Sequence, residues 1–234
     1  MMNGLGLHQM GLDLKYLQGS GINAVTVANN HWFDVEADVD VSYKLIRKFG
    51  VQPLVGQSDL FTTLEGVDVK THSFDRIQIG PYRAAVFTTN VALDVPFPCQ
   101  NLVSTSNISP CLGTQKDGHT REWNVDWKLV DHMTKAIRRA SSSFDMIIIS
   151  IHWGTQFQDE VHPWQIRIAN LFQNASKGVA SLIVGHHPHR LHGIVHNLRD
   201  TVVAYSLGST LWMFGESHSS ILQVKLLAGK IYSL

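Results

Sequence analysis

The sequence predicts an α/β fold with a sizeable hydrophobic core. Helical and strand patterns alternate along the chain, and this order is typical of a sheet with parallel strands covered by helices. The strongest strand signal, residues 145–151, is a mostly apolar segment of the kind that is buried on both faces of such a sheet. A second apolar run, residues 181–185, ends at a glycine. The length of 234 residues suits one domain, which we predict over residues 1–234.

The remaining elements follow from local periodicity and from turn residues. Apolar steps of three and four residues predict helices, β-branched runs predict strands, and glycine or proline marks their ends. In the first half we predict a helix over 6–18, a strand over 22–28, a helix over 34–49, a strand over 51–55, an irregular or partly helical stretch over 56–73, a hairpin over 75–89 turning near Gly80, and a long loop or insertion over 91–122. In the second half we predict helices that include Trp127 to Arg139 and Pro163 to Ala175, and short strands over 192–196, 201–206, 221–227 and 230–233.

Composition excludes several functional classes. Lys plus Arg and Asp plus Glu both number 19, so no net positive field favours a nucleic-acid partner, and we predict none. The N-terminal residues lack the charged and apolar regions of a signal peptide, and no run of about 18 apolar residues suggests a membrane span. We therefore expect a cytoplasmic protein without a membrane segment. Cys99 and Cys111 are predicted to be free thiols, although they could pair across their loop.

Three polar motifs each begin where a predicted strand ends. They are Asn29-Asn30-His31, His152-Trp153-Gly154 and Gly185-His186-His187-Pro188-His189. Loops that leave the carboxyl ends of parallel strands converge at one edge of the sheet, so we expect these motifs to face one pocket. Amide oxygens and neutral imidazoles are ligands for Zn, Mn or Fe, and the motifs together predict a divalent-metal site.

Each motif by itself has another interpretation. Asn29 and Asn30 are residues that favour a helix N-cap. His152 has the pattern of a hydrogen-bonded core histidine, and the histidine-rich loop could be a polar surface loop. We predict that His192 and His196 face solvent and lie outside the site. The metal interpretation rests on the three motifs taken together.

The motifs, with Asp34 and Tyr205-Ser206-Leu207-Gly208, resemble the CapA family of bacterial capsule and poly-γ-glutamate synthesis proteins. The resemblance extends from about Gly21 to Phe214. It implies a fold related to the calcineurin-like metallophosphoesterases, a layered β-sandwich flanked by helices with the site at one edge.

The resemblance also implies roles for individual residues. Asn30, His152, His187 and His189 would be metal ligands, and His31 and Asp34 would be catalytic, with His31 as the general acid near the leaving group. Divalent ions in such a site polarise a phosphoryl group and activate water, while a nearby histidine protonates the departing oxygen. The implied partner is a small-molecule or polymer substrate, and a protein partner is also expected.

The sequence departs from the family pattern in its acidic residues. The family has a Gly-Asp strand end and an Asn-x-Glu segment before Asn-Asn-His, whereas Asp13 is the only acidic residue before Asn29. Gln156 replaces a Glu, and Ser209 replaces an Asn. We therefore expect a degenerate or N-terminally incomplete member that lacks the first strand and the acidic ligands. Two alternatives stay open: a non-catalytic accessory subunit of a polymer synthesis or export complex, and a mononuclear zinc hydrolase that uses the three histidines.

Overall fold

The structure is a computed structural model. It describes residues 19–26, 39–54, 61–64, 67–70, 74–91, 113–115, 123–197, 200–209 and 218–233. The elements in chain order are β1 (Ala24–Thr26), α1 (Val39–Lys48), β2 (Gln52–Leu54), β3 (Phe61–Leu64), β4 (Val67–Lys70), β5 (Asp75–Ile79), β6 (Tyr82–Asn90), β7 (Gly113–Gln115), β8 (Trp123–Val125), α2 (Trp127–Ala140), β9 (Met146–His152), α3 (Pro163–Ala175), β10 (Ala180–His186), β11 (Ile194–Asn197), β12 (Thr201–Ala204), β13 (Lys225–Leu227) and β14 (Lys230–Ser233). The predicted helix over 6–18 lies outside the described residues.

A six-stranded mixed sheet forms the centre of the fold, in the order β11-β12-β10-β9-β6-β5. The four inner strands run parallel, and the two edge strands, β5 and β11, are antiparallel to their neighbours. Helix-containing segments connect β6 to β9 and β9 to β10, which is how parallel neighbours are joined. The predicted α/β class is confirmed.

Successive side chains of β9 point alternately to the two faces of the sheet, which have different surroundings. Ile147, Ile149 and Ile151 are fully buried in the main core, which also contains residues of α2 and α3. Met146 and Ile148 belong to a second core that includes residues of the β13–β14 hairpin. Because successive strand residues point to opposite faces, Ser150 and His152 share the face of Met146. That face therefore changes from apolar to polar toward the carboxyl end of the strand.

The two helices that cover the main core have clear local causes. Asp126 caps α2, since its Oδ1 accepts hydrogen bonds from the backbone N–H groups of Lys128 and Leu129. Pro163 occupies the first position of α3, where its missing N–H has no cost. Both helices match the predicted ranges closely.

Two predictions for the first half of the chain were wrong in part. Residues 61–64 and 67–70, expected to be irregular or partly helical, pair as an antiparallel hairpin. Residues 113–115, within the predicted long loop, form β7 and pair with β8. Short strands of this kind carry little periodicity, so the pairing partner rather than the local pattern defines them. Cys99 and Cys111 lie outside the described residues. Among the described helices, none is long and apolar enough to cross a membrane.

Asp145, a charged residue directly before β9, bonds to β6, and its contribution to the stability of the fold depends on pH. Asp145 Oδ2 accepts hydrogen bonds from the Arg83 backbone N–H over 2.8 Å and from its Nε over 3.3 Å. The backbone bond, followed by the side-chain bond, holds the pKa of Asp145 below its usual value. A lowered folded-state pKa stabilises the fold above the ordinary pKa of aspartate, and this contribution is lost as the pH falls through the lowered value.

We therefore predict that Asp145→Asn lowers the urea midpoint at neutral pH and that the difference from the wild type narrows on acidification. The measurement is urea unfolding followed by circular dichroism at a series of pH values. Arg83→Met is the matched variant, because it removes the ion pair and keeps the backbone N–H. It should retain most of the pH dependence. A wild-type advantage that grows toward acid would contradict the prediction.

Candidate functional site

Three strands of the central sheet end in polar residues that lie side by side. In the register of the sheet, Asn90 of β6 and His186 of β10 are both the Cα partners of His152 on β9. Partners in a parallel sheet point to the same face, so all three side chains lie on the face that carries Ser150. This is the carboxyl edge at which the sequence predicted the site.

The three histidines predicted as metal ligands are held near one another. The ring centroids of His152 and His187 are 4.5 Å apart, and those of His187 and His189 are 6.5 Å apart. His152 is 4% exposed and His187 is 6% exposed, whereas His189 is partly buried. The structure thus brings together the predicted His152 and His187 and leaves His189 farther out.

The backbone of the histidine loop is unusual. His187 has φ of 104° and His189 has φ of 55°, both in the left-handed region that non-glycine residues rarely adopt. Such conformations cost of order 1–3 kcal/mol each and occur mainly at functional sites. These conformations bend the chain just after β10, so that the imidazoles of His187 and His189 lie close together.

His186 belongs to the same cluster, although the sequence analysis assigned it no role. Its Nδ1 lies 2.7 Å from Nδ1 of His152, and its Nε2 lies 3.1 Å from Oγ of Ser150. Burial lowers the pKa of His186 to about 4, so its ring is neutral at pH 7. A neutral imidazole between two partners can donate to only one of them.

A second sheet contacts the site through one hydroxyl. Strands β1 and β2 pair in parallel, and the Ser150 hydroxyl donates a hydrogen bond to Oγ1 of Thr26 over 3.1 Å. Thr26 is the last residue of β1, and the Asn29-Asn30-His31 motif follows it in the sequence. The strand that precedes the first motif therefore ends against β9.

The two histidine-bearing loops are fixed to each other by a tight contact. Gly185 lies so close to the Trp153 indole and the Tyr205 carbonyl that a Cβ at this position would collide with both. Trp153 donates from Nε1 to that carbonyl over 2.9 Å and stacks on the Tyr205 ring at 5.7 Å. Glycine is required here for the close approach.

Backbone and side-chain bonds also join the two loops farther out. The Phe157 N–H donates to the Pro188 carbonyl over 2.7 Å, and the Phe157 ring lies 5.6 Å from that of His189. His192 Nε2 donates to the Gln158 carbonyl over 2.8 Å. His192 is only 8% exposed, so its predicted solvent exposure was wrong: the bond to the neighbouring loop buries it. His196 is exposed, as predicted.

Ser209, which replaces the family Asn, contacts the site directly. Its Oγ makes a short hydrogen bond with Nδ1 of His189. In both His152 and His189, Nδ1 thus has a hydrogen-bond partner. Metal-binding histidines almost always engage their second nitrogen in this way.

The donor chemistry of the cluster fits part of a divalent-metal shell. His152 and His187 are buried, adjacent and nitrogen-bearing, which suits Zn, Mn or Fe. In the described segments, however, no group of three or more His, Cys, Asp or Glu side chains converges as a metal site would require. The pair therefore needs further ligands. Asn30, His31 and Asp34 lie outside the described residues, so their roles stay predictions.

Sequence reasoning missed Asn90 and His186. Asn90 is 4% exposed and ends a strand whose last residues, Thr88-Thr89-Asn90, turn polar after an apolar run. This change from apolar to polar residues was the signal in the sequence that could have identified Asn90. His186 was visible in the motif, but its partners Ser150 and His152 belong to β9, which only the tertiary structure places beside β10.

The chain is similar in sequence to known proteins. A sequence model of the family described as "Bacterial capsule synthesis protein PGA_cap" matches residues 12–212. The chain belongs to this family. The family is part of the calcineurin-like superfamily, and the central sheet flanked by helices is consistent with that fold.

Two relatives, both longer than this chain, are named CapA. The "PGA biosynthesis protein CapA" of Bacillus subtilis (strain 168) is 36% identical over 74 residues, which cover 31% of this chain and 18% of the relative. The "Capsule biosynthesis protein CapA" of Bacillus anthracis is 26% identical over 102 residues, which cover 44% of this chain and 24% of the relative. Each match thus spans less than a quarter of the relative's length.

One solved structure also aligns with the chain. It is the crystal structure of a hypothetical protein from Thermus thermophilus, with a TM-score of 0.43 and 12% identity, covering 86% of this chain and 71% of that chain. At this level of similarity, it carries no argument about function.

The contact between Gly185 and Trp153 generates a stability prediction. We expect Gly185→Ala to lower the free energy of unfolding by about 1–3 kcal/mol or more, because the added methyl collides with the Trp153 indole and a backbone carbonyl. Urea unfolding measures the change. Gly193→Ala is the control, since a Cβ there meets no atom within 4 Å, and it should stay within about 0.5 kcal/mol of the wild type. Equal effects of the two variants would contradict the prediction.

Proposed function

We propose that this chain is a CapA-like protein of capsule or poly-γ-glutamate synthesis with a metal-dependent hydrolase site of the phosphoesterase type. The observation that supports the proposal is the buried pair His152 and His187, with ring centroids 4.5 Å apart, where two strand-end loops meet. Family membership supports a role in capsule synthesis, and the histidine cluster supports metal-dependent hydrolysis. The substrate class is a phosphate ester, or another bond of the polymer pathway.

Each histidine has a distinct task in this proposal. His152 and His187 would hold a divalent ion (Zn, Mn or Fe) from adjacent strand ends, and His189 would join them from the outer part of the loop. A bound ion of this kind polarises an oxygen of the substrate and lowers the pKa of water. Asn30 would add an amide oxygen. His31 would donate a proton to the leaving oxygen, with Asp34 as its catalytic neighbour.

The local structure favours binding by these residues. Buried imidazoles with fixed orientations lose little freedom when they bind an ion, because the left-handed loop and the Trp153 contact already hold them in place. The pKa of His186, which burial lowers to about 4, also keeps this ring uncharged at neutral pH. Both features reduce the cost of bringing a dication to the site.

A second candidate function is a non-catalytic accessory subunit of a polymer synthesis or export complex. The observation that favours it is that the described residues hold no complete metal-binding group. Carboxylates normally offset the charge of two dications, and the described part of the cluster is made of imidazoles. In this alternative, the histidines would remain as a packed remnant of the site.

Metal content distinguishes the two functions. The purified chain is dialysed against Mn²⁺ and Zn²⁺, and bound metal per chain is measured by elemental analysis. We expect about one ion or more in the wild type and at least about a 10-fold loss of affinity in His187→Ala. His196→Ala is the matched control, because it removes an exposed histidine of β11. No metal in the wild type would support the accessory function.

Turnover tests the proposed proton donor separately. We expect His31→Ala to lower phosphodiester or phosphomonoester hydrolysis by about 10²–10⁴-fold, since general acid catalysis contributes about that much. Metal content should stay at the wild-type value. If His31→Ala also loses the metal, His31 is a ligand and not the acid. A metal-loaded wild type with no turnover would contradict the hydrolase proposal.

A further inference from the structure

The hydrogen bonds around His186 form a continuous chain from β1 to the proposed metal site. Ser150 Oγ lies 3.1 Å from Thr26 Oγ1 and 3.1 Å from His186 Nε2, and His186 Nδ1 lies 2.7 Å from His152 Nδ1. The chain thus joins four side chains of three strands, β1, β9 and β10. Each link is within hydrogen-bond distance.

The direction of the first link determines the direction of the others. A serine hydroxyl has one proton, and Ser150 donates it to Thr26. Its Oγ can then only accept from His186, which places the ring proton of His186 on Nε2. Nδ1 of the neutral His186 ring is therefore an acceptor.

The proton position on His152 follows. Since His186 Nδ1 accepts, His152 must donate from its own Nδ1, and a neutral ring then has no proton on Nε2. An unprotonated ring nitrogen is the form that binds a metal. If the chain ran in the opposite direction, His152 would carry its proton on Nε2 and could not bind a metal through that atom.

We infer that Thr26, Ser150 and His186 form a positioning relay that holds His152 as the Nδ1–H tautomer, with Nε2 left as the ligand atom. The inference deepens the proposed function and rests on it only for the consequence in metal affinity. The tautomer itself is a property of the metal-free chain. Thr26 therefore controls a histidine that it does not touch.

The relay has a specific test at Thr26. Thr26→Val keeps the shape of the side chain and removes the acceptor, so that the Ser150 proton becomes available to His186 and the chain can reverse. Thr26→Ser keeps the acceptor. The two variants differ in the relay while sharing the same position at the end of β1.

Two further pairs test the inner links. His186→Asn places an amide oxygen near the position of Nδ1, whereas His186→Leu has a similar size and no acceptor. Ser150→Ala removes the central hydroxyl. Ser181→Ala is its control, because Ser181 is a buried β10 serine that bonds to Ser176 and Thr201.

The first measurement is the histidine tautomer by long-range ¹H–¹⁵N NMR on metal-free protein at about pH 8, where imidazoles with an ordinary pKa of about 6.5 are neutral. We expect His152 to be the Nδ1–H form in the wild type, Thr26→Ser, His186→Asn and Ser181→Ala. In Thr26→Val, Ser150→Ala and His186→Leu, the Nε2–H form should gain population. Circular dichroism confirms that each variant is folded.

The second measurement is Zn²⁺ affinity by competition with a chromophoric chelator. The three relay-breaking variants should bind about 10-fold more weakly or worse, and the three conservative or control variants should match the wild type. An Nε2–H tautomer in the wild type would overturn the relay. So would loss of affinity in both His186 variants with no effect of Thr26→Val or Ser150→Ala, since His186 would then be a direct ligand. The expected tautomers without Zn²⁺ binding by the wild type would support the relay and overturn the proposed metal site.

Discussion

The in-register pairing of β9 with β10 is the constraint on which the site depends. It sets His152 beside His186 and places both at the end of the sheet where their loops leave together. Because Gly185 has no side chain, the Trp153 indole can approach it closely and donate a hydrogen bond to the Tyr205 carbonyl. Packing this dense transmits any shift of one loop to the other. The loop of His187, with its left-handed backbone, therefore starts directly after this close contact.

The two faces of the central sheet have different environments. On the face toward α2 and α3, β9 contributes the apolar residues Ile147, Ile149 and Ile151, and the burial of this face is the main source of stability. The opposite face begins apolar and becomes polar at Ser150 and His152, where each buried group needs a hydrogen-bond partner. The relay from Thr26 to His152 supplies those partners. Stability and chemistry are in this way placed on different parts of one strand.

Family membership and local chemistry contribute different information about function. Membership assigns the chain to bacterial capsule synthesis proteins, yet a shared fold does not by itself establish a reaction. The histidine cluster brings buried imidazoles together, but in the described segments no group of three or more His, Cys, Asp or Glu side chains converges as a metal site would require. Whether these imidazoles can hold a dication therefore decides between the two proposed functions.

The sequence by itself determined the class of the fold, its central strands and the histidine-bearing motifs that follow two of them. These features follow from local patterns, namely buried apolar runs, glycine at their ends and polar motifs directly after them. The family, too, could be read from the motifs around His152 and His187, and it is confirmed.

Only the tertiary structure decided which polar groups meet. The pairing of β3 with β4, the burial of His192 and the positions of Asn90 and His186 beside His152 all depend on contacts with other strands or loops. Thr26 and Ser150 are 124 positions apart in the chain, and no local pattern encodes their contact. Hydrogen-bond direction is a property of a closed network, so the tautomer of His152 is set by the assembled fold and not by its neighbours in sequence.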